Sequence, residues 1–254
     1  MSSFPQSDNF ESFMRKDSIK KLRFTSGILA LLASATFAAA TTAYTVLWQG
    51  AMTAHGGNVS GKVPLRQFAA QKNIYAVGPL ADSGGEITAV AGKFYIARVK
   101  HGEVKTDSDL SVSAGFLVWS DIDEWQPAVA LGEKAETHAQ LEKRIEILAT
   151  KAGMDMSKPF PFKLEGVLDS VSYHILVPKI QKHEGSGHGD SGGDKKISAR
   201  NADAVIIGFF SRNHAGVFTH QGSTAHLHVV ESNGSSGHVD EISANAGVRV
   251  SFPR

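Results

Sequence analysis

Apolar and polar positions alternate with a period of two along much of this chain. That spacing turns one face of a β-strand towards a core and the other towards polar surroundings. "EITAV" and "KFYIARV" alternate on either side of "AG", which predicts a β-hairpin within residues 73–104. Further strands are predicted in "LSVSAGFLVWS" (110–120), twice within "PFKLEGVLDSVSYHILVP" (161–178), in "ADAVIIGFF" (202–210) and in the terminal "GVRVSFPR". One stretch changes period. Leu141, Ile145 and Leu148 recur at helical spacing, Thr137 and Gln140 form a capping box, and Gly153 supplies a stop, so a helix is predicted over roughly 138–152. The fold class expected is α+β: mixed and antiparallel β-sheets in two packed subdomains with one or two helices, and a β-rich C-terminal half.

Three segments depart from the pattern. The basic cluster "KDSIKKLR" (16–23) runs into "FTSGILALLASATFAAATTAYTVLW" (24–48), which carries no charge. A basic and then apolar order marks residues 1–48 as an export signal, with small residues for cleavage near Ala38–Ala40, or as a retained membrane anchor. The expected location is therefore periplasmic or secreted, with membrane contact only through this N-terminal segment. Residues 49–72, rich in Gly, Thr, Ser and Gln, read as a flexible tether, which leaves 73–254 as the domain. "HEGSGHGDSGGDKK" (183–196) is low-complexity and reads as a solvated loop.

Composition adds exclusions. With 254 residues, 42% hydrophobic and 20% charged, the chain can bury an ordinary core, and a homodimer is left open. A formal charge of +1, with no basic stripe interleaved with aromatics, gives no reason to expect a nucleic-acid partner. Zero cysteines rule out disulfides and thiolate ligands. There is no P-loop and no internal repeat.

The chemistry concentrates in "TAHLHVVESNGSSGHVDEI" (224–242). On a strand His226 and His228 share a face while Leu227 points away. "SNGSSG" is rich in turn residues, so a hairpin would return His238 beside the first two. Three imidazoles around one point suit Zn²⁺, or another divalent metal, with a position left open for water or substrate. A bare HxH is more often an exposed pair on an edge strand, and the third histidine after a turn is what favours metal.

In this order, these segments resemble the α-acetolactate decarboxylase family over about 170 residues. "GPLADSGGEITAVAGKFYIAR" is similar to the family's Gly-rich turn leading into "GE", a hairpin and "GKFY". The helix followed by "PFPFKLEGVLDSV" is similar to its helix and Asp-Gly strand. "ADAVIIGFFS", "HLHVV" and "GHVDEI" are similar to its C-terminal signature. The resemblance implies a two-part α/β fold, Zn²⁺ held by His226, His228 and His238, and conversion of 2-acetolactate, a 2-hydroxy-3-oxo acid, to acetoin and CO₂. It also implies a catalytic Glu86 near metal and substrate. Where the family carries an arginine, the nearest match is His174. The loop "GVFTHQGSTA" is longer than the family's and adds His220, and the late C-terminal glutamate has no evident counterpart in "VSFPR".

Such a reaction leaves two electrons for the adjacent ketone to absorb, and a Zn²⁺ chelated by hydroxyl and carbonyl oxygens would stabilise that charge. Glu86 would then supply the proton. His174 would bind the substrate carboxylate, but only while protonated and through one point where arginine offers two. Two other readings stay open. One is a cupin-like metal oxygenase, for which HxH with Glu231 nearby has a spacing off by one residue. The other is a non-catalytic exported metal- or ligand-binding module.

Overall fold

Two six-stranded sheets dominate the computed structural model, which describes residues 44–50, 62–178 and 194–254. The first part of the chain contributes β1 (Leu47–Gln49), β2 (Val63–Pro64), β3 (Ile74–Pro79), β4 (Glu86–Val90), β5 (Lys93–Lys100), β6 (Glu103–Asp107), β7 (Ser113–Ala114) and β8 (Leu117–Asp121). The second contributes β9 (Val129–Ala130), helix α1 (His138–Lys151), β10 (Phe160–Ile175), β11 (Lys195–Phe210), β12 (Ala225–Glu231), β13 (Ser236–Ser243) and β14 (Arg249–Ser251). Sheet one runs β1-β8-β3-β4-β5-β6 and sheet two β11-β12-β13-β10-β14-β9, while β2 and β7 form a small third pair. The pairings between these strands are antiparallel, in an α+β architecture rich in β-structure.

The predicted hairpin is β4–β5. Its two-residue turn places Ala91 at φ 48 and Gly92 at φ 74, the doubly positive geometry of a type I′ turn. The helix also forms where its period places it, burying Leu141, Ile145 and Leu148 against the second sheet. Thr137 Oγ1 accepts from Gln140 N–H at 3.2 Å, whereas the Gln140 side chain accepts from Glu136 N–H at 2.7 Å, one residue earlier than the usual reciprocal partner.

Sheet two closes on itself. The 16-residue β10 pairs with β11 along one edge, and with β14 and then β13 along the other, while β12 links β11 to β13. The chain 161–178, expected to hold two strands, is thus mostly one. Gly166 and the polar Asp169–Ser170 look like a break, but they sit within a continuous ladder whose partner changes along its length. The sheets share a core in which Val77 and Val118 of the first meet Ile207 and Phe209 of the second, with Phe116 and Phe218 between them.

The domain begins earlier than composition suggested. Val63, Leu65 and Phe68, inside the expected tether, are buried in the first sheet's core, and β2 pairs with β7. Three apolar side chains diluted among Gly, Gln and Lys leave no periodic signal, yet they suffice to cover one sheet face. Leu47 and Trp48, the end of the expected leader, form β1 against β8. Residues 1–43 of that leader, 51–61 of the tether and 183–193 of the low-complexity loop lie outside the described residues.

Candidate metal centre

His226 and His228 project from one face of β12, and the cross-strand partner of His228 is His238 on β13. Alternation and register therefore bring the three imidazoles together, as the spacing required. His226 Nε2 lies 3.2 Å from His228 Nε2 and 3.1 Å from His238 Nδ1, and all three rings are buried. Nitrogens bound tetrahedrally at the usual zinc distance stand about 3.3 Å apart. Two edges of the triangle are close to that spacing, and all three ligand atoms lie within 4.8 Å of one another.

The opposite ring nitrogens explain why a cation fits. His226 Nδ1 donates to the Phe218 carbonyl at 2.9 Å, so its Nε2 is a bare lone pair when the ring is neutral. His228 Nδ1 is 3.1 Å from Thr88 Oγ1, which in turn meets Ser236 Oγ at 2.8 Å. His238 Nε2 is 3.0 Å from His220 Nε2. Burial, reinforced by neighbouring imidazoles, pushes His226 down to about 3 and His228 and His238 well below the usual histidine range. Neutral imidazoles with backed outer nitrogens and inward lone pairs form a donor set for a divalent metal.

Sheet one brings a buried carboxyl to the cluster. Glu86, at the start of β4, is buried, and its Oε2 lies 3.7 Å from His228 Nε2. Gly85 makes this placement possible: with φ +145, its position would put a Cβ 2.1 Å from the Ala97 carbonyl oxygen of β5. Burial first, then the charges of Asp194 and Asp240, push the Glu86 carboxyl well above its ordinary range, against a hydrogen bond from Leu176 N–H.

His174 lies on β10 directly opposite His238, with ring centroids 4.9 Å apart. Its Nδ1 is held at 2.7 Å by Asp240 Oδ1. His174, the nearest match to the family's arginine, is therefore already paired with a carboxylate. Glu231, on which the oxygenase reading depended, has the opposite parity from the histidines on β12 and accepts from Tyr173 OH at 2.5 Å. Sequence reasoning missed Thr88 and Asp240, although each lies two residues from a candidate and so shares its strand face. His220, which the sequence offers either as a further polar contact in the pocket or as a surface-loop histidine, lies 3.0 Å from His238 Nε2. A separate cleft of about 450 Å³, lined by residues including Leu47, Phe68, Trp119 and Asp121, contains none of these side chains.

The model of the alpha-acetolactate decarboxylase family matches residues 49–253. Among solved structures, acetolactate decarboxylase from Bacillus subtilis subspecies spizizenii aligns with TM-score 0.62 at 16% identity, over 82% of this chain and 85% of its own. Alpha-acetolactate decarboxylase from Bacillus subtilis strain 168 aligns with TM-score 0.60 at 17% identity, over 82% and 86%. A Staphylococcus aureus protein of unknown function, similar to alpha-acetolactate decarboxylase, aligns with TM-score 0.57 at 14% identity, over 82% and 84%. No curated protein sequence matches significantly.

Proposed function

The chain belongs to the alpha-acetolactate decarboxylase family, and on that premise we propose that it is a metal-dependent carboxy-lyase converting 2-acetolactate to acetoin and CO₂. The observation that carries this reading is the convergence of three inward imidazole lone pairs beside a buried carboxyl. His226, His228 and His238 would hold the metal, zinc in the first instance. Bound there, a divalent cation supplies Lewis-acid polarisation of the substrate's hydroxyl and ketone oxygens, worth several kcal/mol.

The chain's own groups do the rest. Glu86, kept protonated by burial, delivers a proton to the carbon that loses CO₂, a contribution of about 10²–10⁴-fold. Thr88 and the Phe218 carbonyl hold the ring planes of His228 and His226. His174 reaches the substrate carboxylate through its second nitrogen while Asp240 fixes the first. That same carboxylate favours a second reading, a metal- and ligand-binding module without decarboxylation, because its negative charge opposes an anionic substrate.

The test is acetoin release from racemic acetolactate by protein assayed for metal. About one divalent ion per chain with acetoin production supports the enzyme. Metal without acetoin selects the binding module, and metal-free wild-type protein defeats both. Replacement of His228 by alanine should remove the metal with little loss of fold.

We further propose export, motivated by the basic and then apolar order of residues 16–48. A cut near Ala38–Ala40 would leave β1 with the domain. A fusion of residues 1–60 should carry a passenger across the membrane, and a passenger retained in the cytosol would defeat the proposal.

A further inference from the structure

The loop between β11 and β12 reaches the histidine cluster twice. The Phe218 carbonyl accepts from His226 Nδ1–H at 2.9 Å, and two residues later His220 Nε2 meets His238 Nε2 at 3.0 Å. The loop is built to hold these positions. Val217, Phe218 and Thr219 all donate their N–H to the His214 carbonyl, Ser211 Oγ and His214 Nδ1 are 2.7 Å apart, and Phe218 is fully buried in the core between the sheets. The His220 ring stands edge-on to His238, with centroids 4.9 Å apart, and is 6.1 Å from the ring of His226.

The tertiary arrangement of His238 gives this contact its meaning. Its Nδ1 faces His226 Nε2 at 3.1 Å, whereas its Nε2 points away towards the loop. Of the three histidines, His238 alone turns its Nδ1 to the cluster, since His226 and His228 meet through Nε2. A hydrogen on His238 Nε2, donated to His220 Nε2, leaves Nδ1 as the lone pair. Without that partner, nothing on the loop side would select which nitrogen of His238 carries the hydrogen.

We infer that His220 is a positioning residue of the metal centre: it accepts the hydrogen of His238 Nε2, commits His238 to bind through Nδ1, and is not itself a ligand. The inference rests on reading His226, His228 and His238 as a metal site. Its effect appears in affinity and ligand geometry. An outer partner of this kind changes metal affinity by about 10–100-fold.

The experiment measures Zn²⁺ affinity by chelator competition, together with the visible spectrum and imidazole count of the Co²⁺-substituted protein, in wild type, His220→Ala and His220→Gln. The expected result is a loss of about 10–100-fold in affinity for His220→Ala, with an altered Co²⁺ spectrum and three imidazoles in both it and wild type. His220→Gln, whose amide reaches a similar position, should recover most of the affinity. Unchanged affinity and spectrum in His220→Ala would overturn the inference while leaving the metal centre intact. Four imidazoles in wild type falling to three would overturn it in favour of direct ligation. Wild-type protein that binds neither ion would overturn both it and the metal reading.

Discussion

Glu86 is an unremarkable residue in the sequence, a carboxylate at the start of a strand. Its buried position beside His228 makes it the candidate acid. Glu86→Gln preserves size and polarity but removes the proton. Decarboxylation should slow by about 10²-fold or more while zinc content stays at wild-type level. Full activity in this variant would remove Glu86 from the chemistry. Asp240 makes a second residue-level claim. Two unit charges about 4 Å apart in a water-like medium repel by about 1 kcal/mol. If the substrate carboxylate approaches the His174–Asp240 pair, Asp240→Asn should lower KM roughly fivefold with little change in kcat. An unchanged KM would place the carboxylate elsewhere. At this scale the sequence showed which residues could do chemistry, but it could not show that Asp240 already occupies His174.

Between elements, helix α1 and strand β12 are joined by one side chain. Glu142 Oε1 accepts from Thr224 N–H at 2.8 Å and Ala225 N–H at 2.9 Å, and it is also bonded to Ser223 Oγ. Burial opposes its charge, but His138 Nε2 at 3.5 Å and the hydrogen bonds from Ser223 and Ala225 prevail and hold the carboxyl below its ordinary range. The helix thereby pins the first residues of the strand that carries His226 and His228. Glu142→Ala leaves Thr224 N–H without its acceptor and Ala225 N–H with only its longer bond to Ser223 Oγ, and should cost about 2–3 kcal/mol. Thermal melting should show a fall of roughly 4–12 °C, and an unchanged Tm would mean that water replaces the carboxylate. The helix was legible because period, cap and stop agree along one stretch. β10 was not, because a strand that changes partners halfway carries a Gly and a polar pair where a sequence reader expects a turn.

Over the whole molecule, the histidine cluster makes stability depend on pH. In the unfolded chain His226 takes up a proton near 6.5. In the folded chain burial keeps it neutral down to about 3. The unfolded state therefore binds more protons between those values, so the contribution is complete above 6.5 and is lost as pH falls towards 3. His228 and His238, shifted the same way, add to the effect. The Tm of metal-free protein should fall progressively from pH 7 to pH 4, and less steeply in His226→Asn. A flat profile in wild type would mean that water reaches the site. The N-terminal strand belongs to the same assembly. Trp48 on β1 lies 4.9 Å from the His214 ring and 5.4 Å from Phe218, on the loop that caps the cluster. Trp48→Ala should weaken zinc binding as well as lower Tm, because it loosens the Phe218 carbonyl from His226. Equal zinc affinity in that variant would separate the N-terminal strand from the site.

Local periodicity and side-chain alternation determined the hairpin, the helix and the shared face of His226 and His228, since each depends on neighbours within a few residues. The turn-rich "SNGSSG" was enough to return His238 to them. Tertiary structure alone decided that Glu86, 140 residues before His226 in sequence, lies against the cluster, because it requires two sheets to meet across a common core. It likewise decided that residues 62–68 belong to the fold, since three scattered apolar side chains acquire value only from the surface they cover. The assignment of ring nitrogens was also tertiary. A sequence names three histidines but not which nitrogen of each faces inward, and that depends on a carbonyl and a fourth imidazole from the loop before β12 and a hydroxyl from the other sheet.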